Sequence, residues 1–223
     1  MSIYTLNDIE LELPDWLEDT PIARKIAKGE YEGAESHAAR MRIKPGMPVL
    51  EIGAGLGYVS SICGKIAGPE NVVSVEANPR MLDPLMANLR RNGCDGLRVM
   101  HGAVVGNGHH DDEVNFRAGN LFWGGATLPK GASREDMIPV PALRIRPLLR
   151  AIRPRFVMLD VEGAEADLFK KPWPPFVKFV VMELHPKKYD KAVIKEIVDC
   201  MSASGLTYDP LTSHARTLGF MRV

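Results

Sequence analysis

Two stretches of this chain hold residues whose types and spacing suit chemistry. The first is VLEIGAGLGYVSS, Val49 to Ser61, in which Glu51 is followed by Gly53, Ala54, Gly55 and Gly57. Glycines at this spacing let a backbone turn tightly and approach a ligand with no side chain in between. A carboxylate at Glu51 repels phosphate and attracts an ammonium or sulfonium, so the turn suits a nucleotide-like cofactor with a cationic part. Glu76 closes the next apolar run, NVVSVEA, where an acid can accept from both hydroxyls of a ribose. The second stretch is FVMLDVEGAEADLF, which brings Asp160, Glu162 and Glu165 to the end of another apolar run. His185 follows the run after that, VVMELHP. An imidazole beside carboxylates at one sheet edge can accept or pass on a proton.

These groups need elements that place them together. From Met47 onward, short β-rich runs alternate with helical patterns. MPVLEI leads into a helix ending near Ala67, and NVVSVEA into PRMLDPLMANLRRNG, where Met81, Leu85 and Leu89 form an apolar stripe. LRVMHGAVV, RFVMLDV and VKFVVMEL read as third, fourth and fifth strands. Their near-continuous apolar character implies that both faces are covered. Strand–helix alternation implies right-handed crossovers and a parallel sheet. After Pro186 come a helix through DKAVIKEIVDCMSASG and two closing runs, LTYDPL and TLGFMRV, which read as a hairpin added to the sheet. The expected fold is α/β and Rossmann-like, with a mostly parallel seven-stranded sheet, a C-terminal antiparallel hairpin and helices on both faces.

Two segments stand outside this repeat. Residues 1–45 hold a short strand pair and a helix-like DTPIARKIAKGEYEGAESHAARMRI, with Asp19 or Thr20 as cap and Pro21 in the first turn; they read as an extension able to cover the site. Residues 46–223 form the main domain, interrupted at about 106–141 by extra strands or a lid.

The bulk composition narrows the partners. The 223 residues suffice for one substantial core. Lys plus Arg number 28 and Asp plus Glu 28, so no basic excess points to nucleic acid. Cys63, Cys94 and Cys200 are scattered and form no metal-type pair, which suits a reducing cytoplasm. The acidic MSIYTLNDIELELPDW holds no signal-length apolar run, and no later segment approaches a membrane span. Nothing in the sequence argues against a homo-oligomer.

The pattern Glu51-Ile52-Gly53-Ala54-Gly55-Leu56-Gly57 resembles the first motif of S-adenosylmethionine-dependent methyltransferases of the Rossmann-like class. Asp160-Val161-Glu162-Gly163-Ala164-Glu165 and VVMELHP resemble the hallmark segments of the FkbM family of methyltransferases, and the likeness runs from about Pro45 to about Tyr189. Two departures stand out. Gly55 replaces the family's usual Asn, and Glu76-Ala77-Asn78-Pro79 replaces a Glu-Pro. The resemblance implies S-adenosylmethionine as cofactor, held at Glu51, Gly53, Ala54, Gly55, Gly57, Glu76, Ala77, Asn78 and Asp160. It also places the adenine ring against the backbone of Gly102 and Ala103. It implies O-methylation of a hydroxyl on a sugar, a glycolipid or a small natural product. His185 or Glu162 would then be the base, with Asp160 orienting acceptor or cofactor.

A Mg²⁺ ion on the same carboxylates is a secondary alternative, and no metal ligands are assigned. Glu165 is read as starting the next helix, His109 to Asp112 as a polar turn, and Arg144 to Arg155 as a solvated basic face. Phe122 and Trp123 could stack on a sugar or anchor the insertion, and Tyr31 could reach the site. Two rivals stay open. A nicotinamide-dependent oxidoreductase wants a small residue where Tyr58 stands, or the shifted frame ending at Ser60. A binding protein would keep the cofactor without turnover.

Overall fold

The computed structural model describes residues 2–117, 137–161 and 163–223. A seven-stranded sheet forms its centre. The strands on which the site is built are β3 (Val49–Ile52), β4 (Val72–Glu76), β5 (Arg98–His101), β9 (Phe156–Leu159) and β10 (Phe179–Glu183). With β11 (Leu206–Tyr208) and β12 (Thr217–Arg222) the spatial order is β11-β12-β10-β9-β3-β4-β5. The five site strands run parallel, whereas β12 is antiparallel to both β10 and β11. The chain order therefore reverses at β3, between β9 and β4, which is where open α/β sheets leave a crevice at their carboxyl ends.

Apolar strands with helices on both faces explain this arrangement. All four residues of β3 and all four of β9 are buried. α3 (Tyr58–Ala67), α4 (Pro79–Arg91) and α2 (Gly33–Arg42) share one core with the first face. α5 (Ile145–Ile152) and α7 (Lys191–Ala203) share the second core, around Val157, Leu159 and Val180. Met81, Leu85 and Leu89 are buried on α4, as the stripe predicts.

The third apolar run is not one strand. It breaks at Gly102 into β5 and β6 (Ala103–Val105), and β6 leaves the main sheet for a three-stranded one with β7 (Glu113–Arg117) and β8 (Met137–Arg144), ordered β6-β8-β7. A Cβ on Gly102 would lie 2.7 Å from the Pro141 carbonyl oxygen, so only glycine lets the chain pass β8 there. Nor is this run covered on both faces as its apolar character implies: β5 is an edge strand with Arg98 exposed and the rest half-buried, and Val104 is the buried residue of β6.

The N-terminal helical pattern also divides. β1 (Ser2–Leu6) and β2 (Ile9–Leu13) form an antiparallel hairpin, followed by α1 (Pro21–Ala27) with Thr20 as N-cap and Pro21 in its first turn. A break containing left-handed Gly29 (φ 74°) and Glu32 (φ 46°) separates α1 from α2. Asn88 of α4 ties the hairpin down: its amide donates to the Glu12 and Leu56 carbonyls and its oxygen accepts from the Glu12 N–H. Among the described residues no helix is long and apolar enough to cross a membrane.

Candidate active site

A cavity of about 760 Å³ opens at the carboxyl ends of β3, β4, β9 and β10. Its size suits a small-molecule cofactor and an acceptor group. Its walls include Gly53, Gly55, Glu76, Ala77, Gly102, Ala103, Asp160 and His185 from the sequence expectations. Tyr31 and its neighbours Glu30 to Glu35 form another part of the wall, and Val114 to Phe116 of β7 a third.

On the β3 and β4 side, the cavity is built mainly from backbone. Gly53 (φ 94°) turns the chain directly after β3, where a Cβ would meet the Asp160 carbonyl oxygen at 1.9 Å. Both conformation and space therefore demand glycine. Glu76 is 7% exposed. Its Oε2 accepts from the Gly55 N–H at 2.8 Å and its Oε1 from the Asn78 N–H at 2.7 Å. Burial raises its pKa, opposed by the backbone N–H groups of Asn78, Gly55 and Ala77. Each oxygen keeps a second lone pair, so the fixed carboxylate can accept from vicinal hydroxyls.

Other expected cofactor residues lie behind this surface. Glu51 pairs in register with Ser74 on β4 and accepts from the Ser74 hydroxyl at 2.6 Å and from the Ser60 hydroxyl. It is 3% exposed, meets hydroxyls rather than a Lys or Arg, and stays off the cavity wall. Burial pushes its pKa up to about 7 against the lowering effect of both serines. Ala54 and Gly57 also sit off the wall, and Asn78 caps α4 by accepting from the Arg80 N–H. These groups shape the turn from beneath.

The other side is built from side chains. Asp160 continues β9, its N–H donating to the Ile52 carbonyl oxygen. His185, 6% exposed, follows β10 and points Nε2 toward Asp160 Oδ1 at 3.6 Å and Glu183 Oε2 at 4.0 Å. Arg216 holds the other Glu183 oxygen at 2.5 Å. The His185 backbone N–H donates to the Tyr189 hydroxyl at 2.8 Å, fixing the turn that begins at Pro186. Behind the ring, Glu165 Oε1 lies 2.8 Å from Nδ1 and is fully buried. Glu165 does open α6 (Glu165–Leu168), as the helix-start reading has it, but its Oε1 is engaged by His185. The sequence reading missed both this pairing and Glu183. The signal for Glu183 was present, since it and His185 stand two apart at a strand end.

Several other expectations fall differently. Glu162, Phe122 and Trp123 lie outside the described residues. Arg144 is no solvated helix residue; its guanidinium donates to the carbonyls of His109, His110 and Asp111 and pins that turn. Among the described residues, Asp160, Glu183 and His185 are the one set of acids and imidazole or thiol groups that could share a metal ion, with ligand atoms within 4.8 Å of each other; His109 to Asp112 form no such set. The cysteines are free and buried.

Residues 24–111 match the family model of protein-L-isoaspartate(D-aspartate) O-methyltransferase. That stretch holds the glycine turn and Glu76. Among curated proteins, a protein-L-isoaspartate O-methyltransferase of Hyperthermus butylicus is 33% identical over 117 residues, 44% of this chain and 46% of that protein. One of Methanocella arvoryzae is 37% identical over 91 residues, 39% and 47% of the two chains. The chain thus covers less than half the length of each. A ribosomal protein L11 methylase of Lactobacillus delbrueckii subsp. bulgaricus superposes with a TM-score of 0.50 at 11% identity, covering 100% of this chain and 99% of that one. The matched family model is not FkbM, and the segments carrying the FkbM likeness, 160–165 and 180–186, lie beyond residue 111. The likeness carried by these comparisons is the coarser one, to S-adenosylmethionine-dependent methyltransferases, and the fold is that of their Rossmann-like class.

Proposed function

We propose that the chain is an S-adenosylmethionine-dependent O-methyltransferase. The observation that carries this is the Glu76 carboxylate, set by the Gly55 and Asn78 N–H groups at the cavity wall one strand from the Gly53 turn. In this reading the ribose lies on Glu76, the adenine against Gly102 and Ala103, and the methionine part over Gly53 toward Asp160. Glu51, behind the turn, acts on the sulfonium through its field. Residues 1–45 close one side of the cavity over 46–223.

Methyl transfer from a sulfonium is an in-line displacement, so alignment of acceptor, methyl and sulfur supplies most of the acceleration. The relatives' names favour a protein L-isoaspartyl carboxylate as acceptor, a nucleophile that needs no base. A hydroxyl acceptor on a sugar, a glycolipid or a small natural product is the second reading. It is favoured by His185 between Asp160 and Glu183, because a group that takes up a proton serves a hydroxyl and not a carboxylate. There His185 Nε2 stands as base, with Glu162 as the other base considered.

Two experiments separate these readings. Calorimetric titration with S-adenosylhomocysteine and, separately, NAD tests the cofactor; binding of NAD alone overturns the proposal in favour of hydride transfer. Radiolabelled methyl transfer to an isoaspartyl peptide and to a hydroxylated panel then assigns the acceptor. Cofactor binding with no transfer to either class, and no effect of replacing Asp160 or His185, would leave the binding-protein reading.

A further inference from the structure

We propose that Asp160, Glu183 and His185 form a divalent-metal site on the acceptor side of the cavity. The inference deepens the methyltransferase reading, on which its catalytic role rests, but the site itself stands on the geometry of three side chains.

The three ligand atoms lie within 4.8 Å of one another, and His185 Nε2 is 3.6 Å from Asp160 Oδ1 and 4.0 Å from Glu183 Oε2. Two donors at ordinary bond lengths of about 2.1 Å from one ion are about 3.0–3.5 Å apart at tetrahedral or octahedral angles. The observed spacings need only small side-chain adjustments to close on an ion. All three residues line the cavity, so a bound ion would keep open positions facing it.

A second observation is the group behind the imidazole. Glu165 is fully buried, and its Oε1 lies 2.8 Å from His185 Nδ1. A carboxylate there takes the Nδ1 proton in a hydrogen bond, leaving Nε2 as the electron-pair donor directed at the two acids. This is the outer carboxylate that metal-ligating histidines characteristically carry. Arg216 similarly holds Glu183 Oε1 and directs Oε2 to the cluster. One imidazole and two carboxylates suit Mn²⁺ or Zn²⁺ better than the all-oxygen preference of Mg²⁺.

Either acceptor class gains from such an ion. Two carboxylates facing the cavity repel an incoming isoaspartyl carboxylate; a dication between them cancels that charge and offers the acceptor oxygen an open coordination position. A hydroxyl bound to the ion loses its proton more readily, and the ion then replaces His185 in that role, since an Nε2 that holds metal is no longer a base. In both cases the acceptor oxygen is held beside Asp160, whose backbone abuts the Gly53 turn.

The test is direct titration of the chelator-treated, dialysed chain with Mn²⁺, read by loss of the free-ion electron paramagnetic resonance signal. The expected result is one Mn²⁺ per chain, competed by Zn²⁺. It should be lost in His185→Ala and Asp160→Asn and weakened about 10–100-fold in Glu165→Gln, with circular dichroism confirming that each variant is folded. No stoichiometric binding at millimolar Mn²⁺, or binding unchanged in His185→Ala, overturns the site. If His185→Ala does not fold, Glu183→Gln takes its place, and unchanged binding there overturns the site equally. S-adenosylhomocysteine titrated with and without Mn²⁺ keeps the two proposals apart. Metal binding without cofactor binding sinks the methyltransferase reading alone, and cofactor binding without metal sinks this one.

Discussion

The cavity has two walls made of different material. The wall at β3 and β4 presents a glycine turn and one acid, Glu76, immobilised from behind by the Gly55 and Asn78 N–H groups. The wall at β9 and β10 presents side chains, Asp160, Glu183 and His185, held from behind by Glu165 and Arg216. The matched family model covers the first wall and ends before the second. Backbone recognition depends on turn geometry that many sequences can share, whereas side-chain chemistry can be exchanged residue by residue on the same frame. The comparison therefore bears on cofactor more strongly than on acceptor.

The substitution expected to do most damage strikes where the walls touch. Gly53→Ala must leave a left-handed φ and move the Asp160 carbonyl oxygen, which would lie 1.9 Å from the new Cβ. A loss of about 3 kcal/mol or more in denaturant unfolding is expected, together with loss of S-adenosylhomocysteine binding. Near-wild-type stability would mean that the walls are independent. Next, Glu183→Gln should lower methyl transfer about 10²–10³-fold while leaving the S-adenosylhomocysteine affinity within a few-fold, measured by turnover and calorimetry in parallel. An equal fall in both would show that the side-chain wall also holds the cofactor. Glu76→Ala should do the reverse, weakening S-adenosylhomocysteine by about 10²-fold, and because it strips the buried Gly55 and Asn78 N–H groups of their acceptor it should also cost about 1–3 kcal/mol in unfolding.

The smallest effect concerns Glu51. Its folded pKa is raised to about 7, so the folded state binds the proton more tightly than the unfolded one. Ionisation then costs stability progressively from about pH 4.5 to pH 7, and the cost is complete above that window. Glu51→Gln should therefore stabilise the cofactor-free chain by roughly 1–3 kcal/mol at pH 8 and by almost nothing at pH 4, read from paired thermal melts. A gain independent of pH would show that Glu51 does not titrate there.

What could be read in advance follows the same division between walls. The parallel strands, the glycine turn and the acid at Glu76 were legible because each is a local pattern: an apolar run, a glycine spacing, an acid at a strand end. The break at Gly102 was not, because Leu97 to Val105 reads as one β-rich run and only the passage of β8 forces the turn. Glu51 read as a group facing the ligand, yet strand alternation points it to the α3 side of the sheet, where Ser60 of α3 and Ser74 of β4 donate to it. Glu165 read as a helix start, since no sequence spacing announces a contact with His185 twenty residues away. Arg144 resembled its basic neighbours until the turn at 109–111 came to rest against it.

The gap between Gly53 and Asp160 admits no more than a hydrogen atom. The β3–β4 wall and the β9–β10 wall thus share one backbone contact, and neither can be shifted without dislodging the other. Engineering a new acceptor preference in this chain is consequently a matter of repainting the surface at β7, β10 and residues 30–35, not of moving the frame.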